Sequence, residues 1–140
     1  MLNSYYTEKL LGLQEVSIKK VNDTKENYEI FIEQPRKQCV CPVCGKLTDK
    51  VHDYRTQRIK ELSAFEKPVV LVLRKRRYAC SCGKHFAEPN SFLPKYQRMT
   101  QRTILALIDR LRDCRSYSSV AREFRLSVPT VIRFFRNVRY

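Results

Sequence analysis

Six cysteines are the residues whose type and spacing can do chemistry in this chain of 140. Four of them make two short turns, Cys41-Pro42-Val43-Cys44-Gly45 and Cys80-Ser81-Cys82-Gly83-Lys84, each closed by a glycine. A pair of thiols on a tight turn is the shape of a zinc knuckle, and two knuckles face to face supply the four soft ligands of a closed tetrahedral site. The glycines suit a backbone that folds under a metal with positive φ. The spacing therefore predicts one structural Zn2+ held by Cys41, Cys44, Cys80 and Cys82, with ordinary buried thiols as the alternative. Cys39 extends the first turn to Cys-x-Cys-x-x-Cys and could replace a ligand, but is read first as a spare strand thiol. Cys114 continues a helical apolar face and is read as core. His52 and His85 could be ligands, although single histidines more often hydrogen-bond or meet phosphate.

A clip of this kind needs strands that deliver the chain to each turn. Val16–Val21 and Tyr28–Glu33 partly alternate apolar and polar residues around a turn-forming Asn22–Asn27, which predicts a β-hairpin ended by Pro35. Val51–Arg55 and Arg58–Leu62 lie between the knuckles, and Val69–Tyr78 runs straight into Cys80. The 35 residues between Cys44 and Cys80 exceed the roughly 15–20 of the common two-pair pattern, so a ribbon enlarged by a hairpin is expected. Lys84 to Pro94 reads as loop, and residues 1–14 suggest a short helix around Leu10, Leu11 and Leu13.

After Tyr96 the period changes. Thr100 is a good N-cap, and Ile104, Leu107, Ile108 and Leu111 share one helical face. Tyr117–Phe135 then reads as a helix-turn-helix. Val120, Ala121 and Phe124 form one apolar face, Arg125 stands at the turn where glycine is frequent, and Ser127 caps a second helix with Pro129 in its first turn. Val128, Val131, Ile132, Phe135 and Val138 are expected in the core, leaving Thr130, Arg133, Arg136 and Asn137 outside. In such a motif the second helix lies in the major groove. Arg133, Thr130 and Asn137 are the candidate base readers, and Arg136 is a phosphate contact. The run Arg74 to Arg77, chiefly Arg74, Arg76 and Arg77, is read as a backbone-contact patch, against a merely solvated strand end.

The charge agrees with a polyanion partner: 28 basic and 14 acidic residues give a formal +14, and nucleic acid precedes an anionic membrane among partners. No apolar run approaches the length of a spanning helix, and the start lacks the regions of a signal peptide. A reduced, cytoplasmic, nucleoid-associated setting follows, where thiols serve metal rather than disulfides. Enzymatic readings fare poorly. No Gly-rich phosphate loop exists, neither histidine has an obvious nucleophile partner, and a four-thiolate zinc has no open position.

The string Cys41-Pro42-Val43-Cys44-Gly45, the segment Val51-His52-Asp53-Tyr54-Arg55, the run Arg76-Arg77-Tyr78-Ala79-Cys80 with Cys82-Gly83-Lys84, and the trailing helix-turn-helix together resemble the N-terminal part of ISL-three family bacterial insertion-sequence transposases, over about residues 39–140. The second knuckle departs from the usual pattern, with one residue between its cysteines instead of two. The resemblance implies a zinc ribbon and a helix-turn-helix that bind double-stranded DNA at the terminal inverted repeats of a mobile element. In that family a longer C-terminal domain of ribonuclease-H-like fold carries three metal-binding carboxylates, and no such domain lies within these residues. The expected class is α+β, a β-rich zinc ribbon followed by a small helical domain. The expected division is 1–38 as a hairpin lead-in, 39–93 as the ribbon and 94–140 as the DNA-binding unit, with a homodimer among the expected states. The rival functions are an independent zinc-containing transcription regulator and a zinc-stabilised interaction scaffold.

Overall fold

The computed structural model describes residues 9, 11–13, 16–93, 97–113 and 115–137. The expected N-terminal helix lies largely outside the described residues, as do Cys114 and Val138. The order is strand-rich, then helical, which is the α+β arrangement expected from the sequence.

Strands β1 (Ser17–Asp23) and β2 (Tyr28–Glu33) form the first hairpin. Its turn is held by Thr24, whose hydroxyl meets the backbone and side chain of Asn27. Two-residue strands β3 (Cys39–Val40) and β4 (Leu47–Thr48) bracket the first cysteine turn. The two segments expected between the knuckles are one continuous strand, β5 (Val51–Ala64), paired antiparallel with β6 (Lys67–Ala79) along nearly its whole length. Where a loop was expected after the second knuckle, β7 (His85–Ala87) pairs with the last residues of β6. The main sheet has the order β1-β2-β6-β5, with β7 on β6 beyond the end of β2. β2 and β6 run parallel, so the expected boundary at residue 38 falls between strands of a single sheet.

One face of this sheet is apolar because alternate residues of β2 and β6 are, with Ile59 of β5 beside them. Ile30, Ile32, Ile59, Val69, Leu71 and Leu73 are buried there with Leu11, Ile18 and Phe92. Burying one such side chain contributes about 1.5–3 kcal/mol, so this face is the main source of the sheet's stability.

The helices are α1 (Gln101–Arg112), α2 (Tyr117–Phe124) and α3 (Val128–Arg136). Each begins at a hydroxyl cap whose oxygen accepts from the backbone N–H three residues on: Thr100, Ser116 and Ser127. A cap of this type is worth about 1 kcal/mol. Leu107, Ile108, Leu111, Val120, Ala121 and Val131 are buried in a second core with Met99. Among the described residues no helix is long and apolar enough to cross a membrane.

Candidate metal centre and nucleic-acid interface

The two cysteine turns meet at the open end of the β5–β6 hairpin. In the first, the N–H of Gly45 donates to the carbonyl of Cys41 and the N–H of Cys41 donates to Lys46. In the second, the N–H of Gly83 donates to Cys80 and the N–H of Cys80 donates to Lys84. Each bond closes one residue earlier in the second turn, so its shorter spacing is absorbed within the loop. Gly45 and Gly83 have φ of +74° and +91°, and a Cβ at either would meet open space. Glycine is required there for backbone sign and not for room.

The four sulfurs lie within 4.8 Å of one another. Cys41 Sγ is 3.7 Å from Cys82 Sγ, and Cys44 Sγ is 3.3 Å from Cys80 Sγ. Sulfurs bound to one tetrahedral zinc at about 2.3 Å stand about 3.8 Å apart, so this donor set fits that ion. The backbone N–H of Cys44 draws the Cys41 thiol below its ordinary value. Cys80 is drawn down to about 6 by the N–H of Cys82 and then by the Cys44 thiol. Cys44 receives the N–H of Lys46, which favours its thiolate, yet the neighbouring thiols together hold it up at about 11. Four thiols packed this closely suit a divalent cation that displaces their protons. Cys39 is buried, with its thiol 3.7 Å from the carbonyl of Lys37, and lies outside the cluster. His52 and His85 are exposed and stacked on each other, their ring centroids 3.9 Å apart.

The basic run of β6 divides by strand alternation. Arg74 is exposed and lies over the Tyr54 ring at 3.8 Å, with Glu33 at 4.0 Å. Arg77 is partly exposed and pairs with Asp53 at 3.4 Å. Arg76 corrects the sequence reading. Its side chain is 8% exposed. It pairs with Glu33 at 2.7 Å and Glu88 at 3.3 Å and donates to the carbonyl of Gln34. Buried between two carboxylates, this guanidinium is not presented to a phosphate, although its Nε has no hydrogen-bond partner among the described residues. Tyr78 is fully buried, its hydroxyl donating to Lys37.

In the helical part, Arg125 takes the left-handed conformation (φ 53°, ψ 47°) that glycine would take more easily. The strain is offset from the sheet, where Lys60 Nζ donates to the carbonyls of Phe124 at 2.8 Å and Arg125 at 3.0 Å. The next residue, Glu61, is buried. It accepts from the hydroxyls of Thr100 and Thr103 and from the Arg102 guanidinium at 2.8–3.1 Å. One dipeptide of β5 thus fastens the start of α1 and the turn after α2. Sequence reasoning passed over it. The available signal was a charged pair set between Ile59 and Leu62 in a strand that should alternate.

On α3, Arg133, Arg136 and Asn137 are exposed and Thr130 is half-buried, opposite the buried Val131. Phe134, on which the sequence reading is silent, packs against the helical core, whereas Ile132, expected there, does not. Thr130 and Arg133 border one groove, while Arg133, Arg136 and Asn137 border another with Pro129 and Ile132.

A four-cysteine clip on a β-ribbon, followed by a helix-turn-helix with a basic outer face, defines a zinc-ribbon DNA-binding protein. Residues 30–83 match the zinc-finger of transposases IS204/IS1001/IS1096/IS1165, and residues 88–139 match the helix-turn-helix domain of transposase family ISL3. The chain thus carries domains similar to both the zinc-finger and the helix-turn-helix of ISL3 (ISL-three) family transposases. It is 32% identical over 135 residues to the transposase for insertion sequence element IS1001 of Bordetella parapertussis, across 94% of this chain and 33% of that protein. It therefore spans a third of that relative's length. No solved structure matches it.

Proposed function

We propose that this chain binds the terminal inverted repeats of a mobile element as the DNA-recognising part of a transposase. The observation that carries the reading is α3. Its apolar side is anchored at Val131, and Arg133, Arg136 and Asn137 stand on the far side in a basic protein. In this reading α3 enters a major groove with Thr130, Arg133 and Asn137 nearest the bases and Arg136 on phosphate. Arg74 and Arg77 face adjacent backbone from the ribbon, while Cys41, Cys44, Cys80 and Cys82 hold the zinc that keeps the ribbon's end closed. Residues 94–140 are the reading unit and 39–93 the zinc-bearing one. Two copies, as a homodimer at the nucleoid, would hold two ends at once. Strand cleavage and joining need metal-binding carboxylates clustered for two-metal chemistry, and among the described residues the one metal-holding cluster is the four cysteines, so in this reading the chain alone binds without cutting.

The test is titration of duplexes carrying the element's terminal repeat or a scrambled sequence. Arg133→Ala is expected to cost about 1–3 kcal/mol on the repeat and to relax preference at one position. Equal weakening on both duplexes would make Arg133 a phosphate clamp. Equal binding of both duplexes by the unaltered protein would end the repeat-specific reading.

A further inference from the structure

Beside α3 lies a groove of about 380 Å3 whose lining includes Lys60, Arg98, Thr130 and Arg133 and no carboxylate. The neighbouring groove, which shares Lys60, is lined by Glu61 and Glu123 as well as basic residues. Of these two grooves, only the one beside α3 carries positive charge with no carboxylate in its lining. Arg98 is exposed, and among the described residues its guanidinium meets no carboxylate. Its backbone is nevertheless fixed. The N–H of Lys60 donates to the Arg98 carbonyl at 2.8 Å, the N–H of Thr100 donates to Lys60 at 3.1 Å, and Met99 bridges to Lys60 in parallel register. Lys60 uses two ammonium hydrogens on the carbonyls of Phe124 and Arg125, and an ammonium has three.

We infer that this groove seats one backbone phosphate of the DNA strand that borders α3, gripped by Arg98 and by the remaining hydrogen of Lys60, with the Thr130 hydroxyl at its rim. The inference rests on the reading that α3 enters a major groove. A helix in that position brings flanking backbone over the groove where Thr130 and Arg133 emerge. Because Arg98 is pinned to β5, the contact fixes the register of α3 on the duplex. It is a positioning contact and carries no base preference.

The experiment has two arms. In the first, Arg98→Ala and a control, Arg58→Ala, are titrated against repeat and scrambled duplexes over a range of salt. Arg58 is exposed on β5 and paired with Glu29. Arg98→Ala is expected to weaken both duplexes about tenfold and to flatten the log–log salt slope by about 0.9, with zinc content and melting midpoint retained. Arg58→Ala should leave the slope unchanged. In the second arm the unaltered protein is titrated against repeats carrying one neutral methylphosphonate at each backbone position in turn. One position beside the α3 footprint should weaken binding about tenfold, and Arg98→Ala should lose less at that position than the unaltered protein, because only Lys60 still grips it. An unchanged slope for Arg98→Ala overturns the inference, as does a loss confined to one base pair. So does a scan with no sensitive position beside α3, and that result needs no variant to fold. Failure of the unaltered protein to bind any duplex overturns the DNA-binding reading itself, which distinguishes the two.

Discussion

Arg76 exchanges the role its sequence suggests for one inside the sheet, and the exchange has an energetic signature. Glu88 is 4% exposed and faces Arg76 across a buried contact, with Glu33 on the other side of the guanidinium. Removing the arginine leaves the buried Glu88 without a cation and Glu33 with only the exposed Arg74 at 4.0 Å. Breaking a buried pair in this way costs about 3–5 kcal/mol. Arg76→Ala is therefore expected to lower unfolding free energy by about that amount in urea melts. At temperatures where the variant remains folded, its salt slope for DNA should match the unaltered protein's. A stability change within about 0.5 kcal/mol, the range of ordinary surface changes, together with a flatter salt slope, would return Arg76 to the phosphate-binding set. The cysteine cluster was legible in the sequence because metal geometry demands paired thiols on turns, and that demand is local. The fate of Arg76 was not. Alternation divides Arg74 and Arg76 from Lys75 and Arg77, but only the pairing of β2 with β6 sets Glu33 beside Arg74 and Arg76.

Among the elements, the contact between β5 and the helices decides how the two parts of the chain are held. Glu61 satisfies the cap residue Thr100, its neighbour Thr103 and Arg102 together, while Lys60 holds the left-handed turn after α2. Glu61→Ala leaves hydroxyls and a guanidinium without their acceptor and is expected to destabilise by about 2–3 kcal/mol. The more informative consequence is a loss of cooperativity, with the helical core around Leu107, Val120 and Val131 melting before the sheet. Calorimetry with near-ultraviolet dichroism would follow both parts. A single transition with an unshifted midpoint would show that the junction is held elsewhere. The helices were read well from sequence because caps and 3.6-residue periodicity are local signals. The mistake on α3 has a geometric origin. At about 100° per residue, Phe134 lies about 60° from Val131 and Ile132 about 100°. Five apolar residues spread over that arc do not declare which of them is central. β7 was missed because three residues are too few to show alternation, and its partners on β6 lie several residues back along the chain.

At the scale of the whole molecule, the metal centre and the two apolar cores are separate sources of stability. A structural zinc's binding energy is also folding energy, and in the smallest zinc domains its removal unfolds everything. Here the thiol cluster closes the end formed by β3, β4, β7 and the last residues of β6. Ile32, Ile59, Leu71 and Leu73 are almost wholly buried further along the sheet, and the helices carry their own core. The Arg76–Glu88 contact lies between the two regions and ties β6 to the residues that follow β7. Chelation is therefore expected to open the cysteine end and leave the rest folded. Hydrogen exchange should rise sharply over residues 39–50 and 79–87 when metal is stripped under reducing conditions, while protection persists over 59–73 and along α1. DNA affinity should fall only by what the ribbon's own contacts contribute, because α3 keeps its seat through Lys60 and Glu61. Exchange that rises throughout the chain on chelation would mean that the zinc holds the entire sheet in place. Zinc content should also follow Cys41, Cys44, Cys80 and Cys82 individually. If Cys82→Ser retained full affinity while Cys39→Ser lost it, the ligand set and the boundary of the metal-dependent region would both move toward β3.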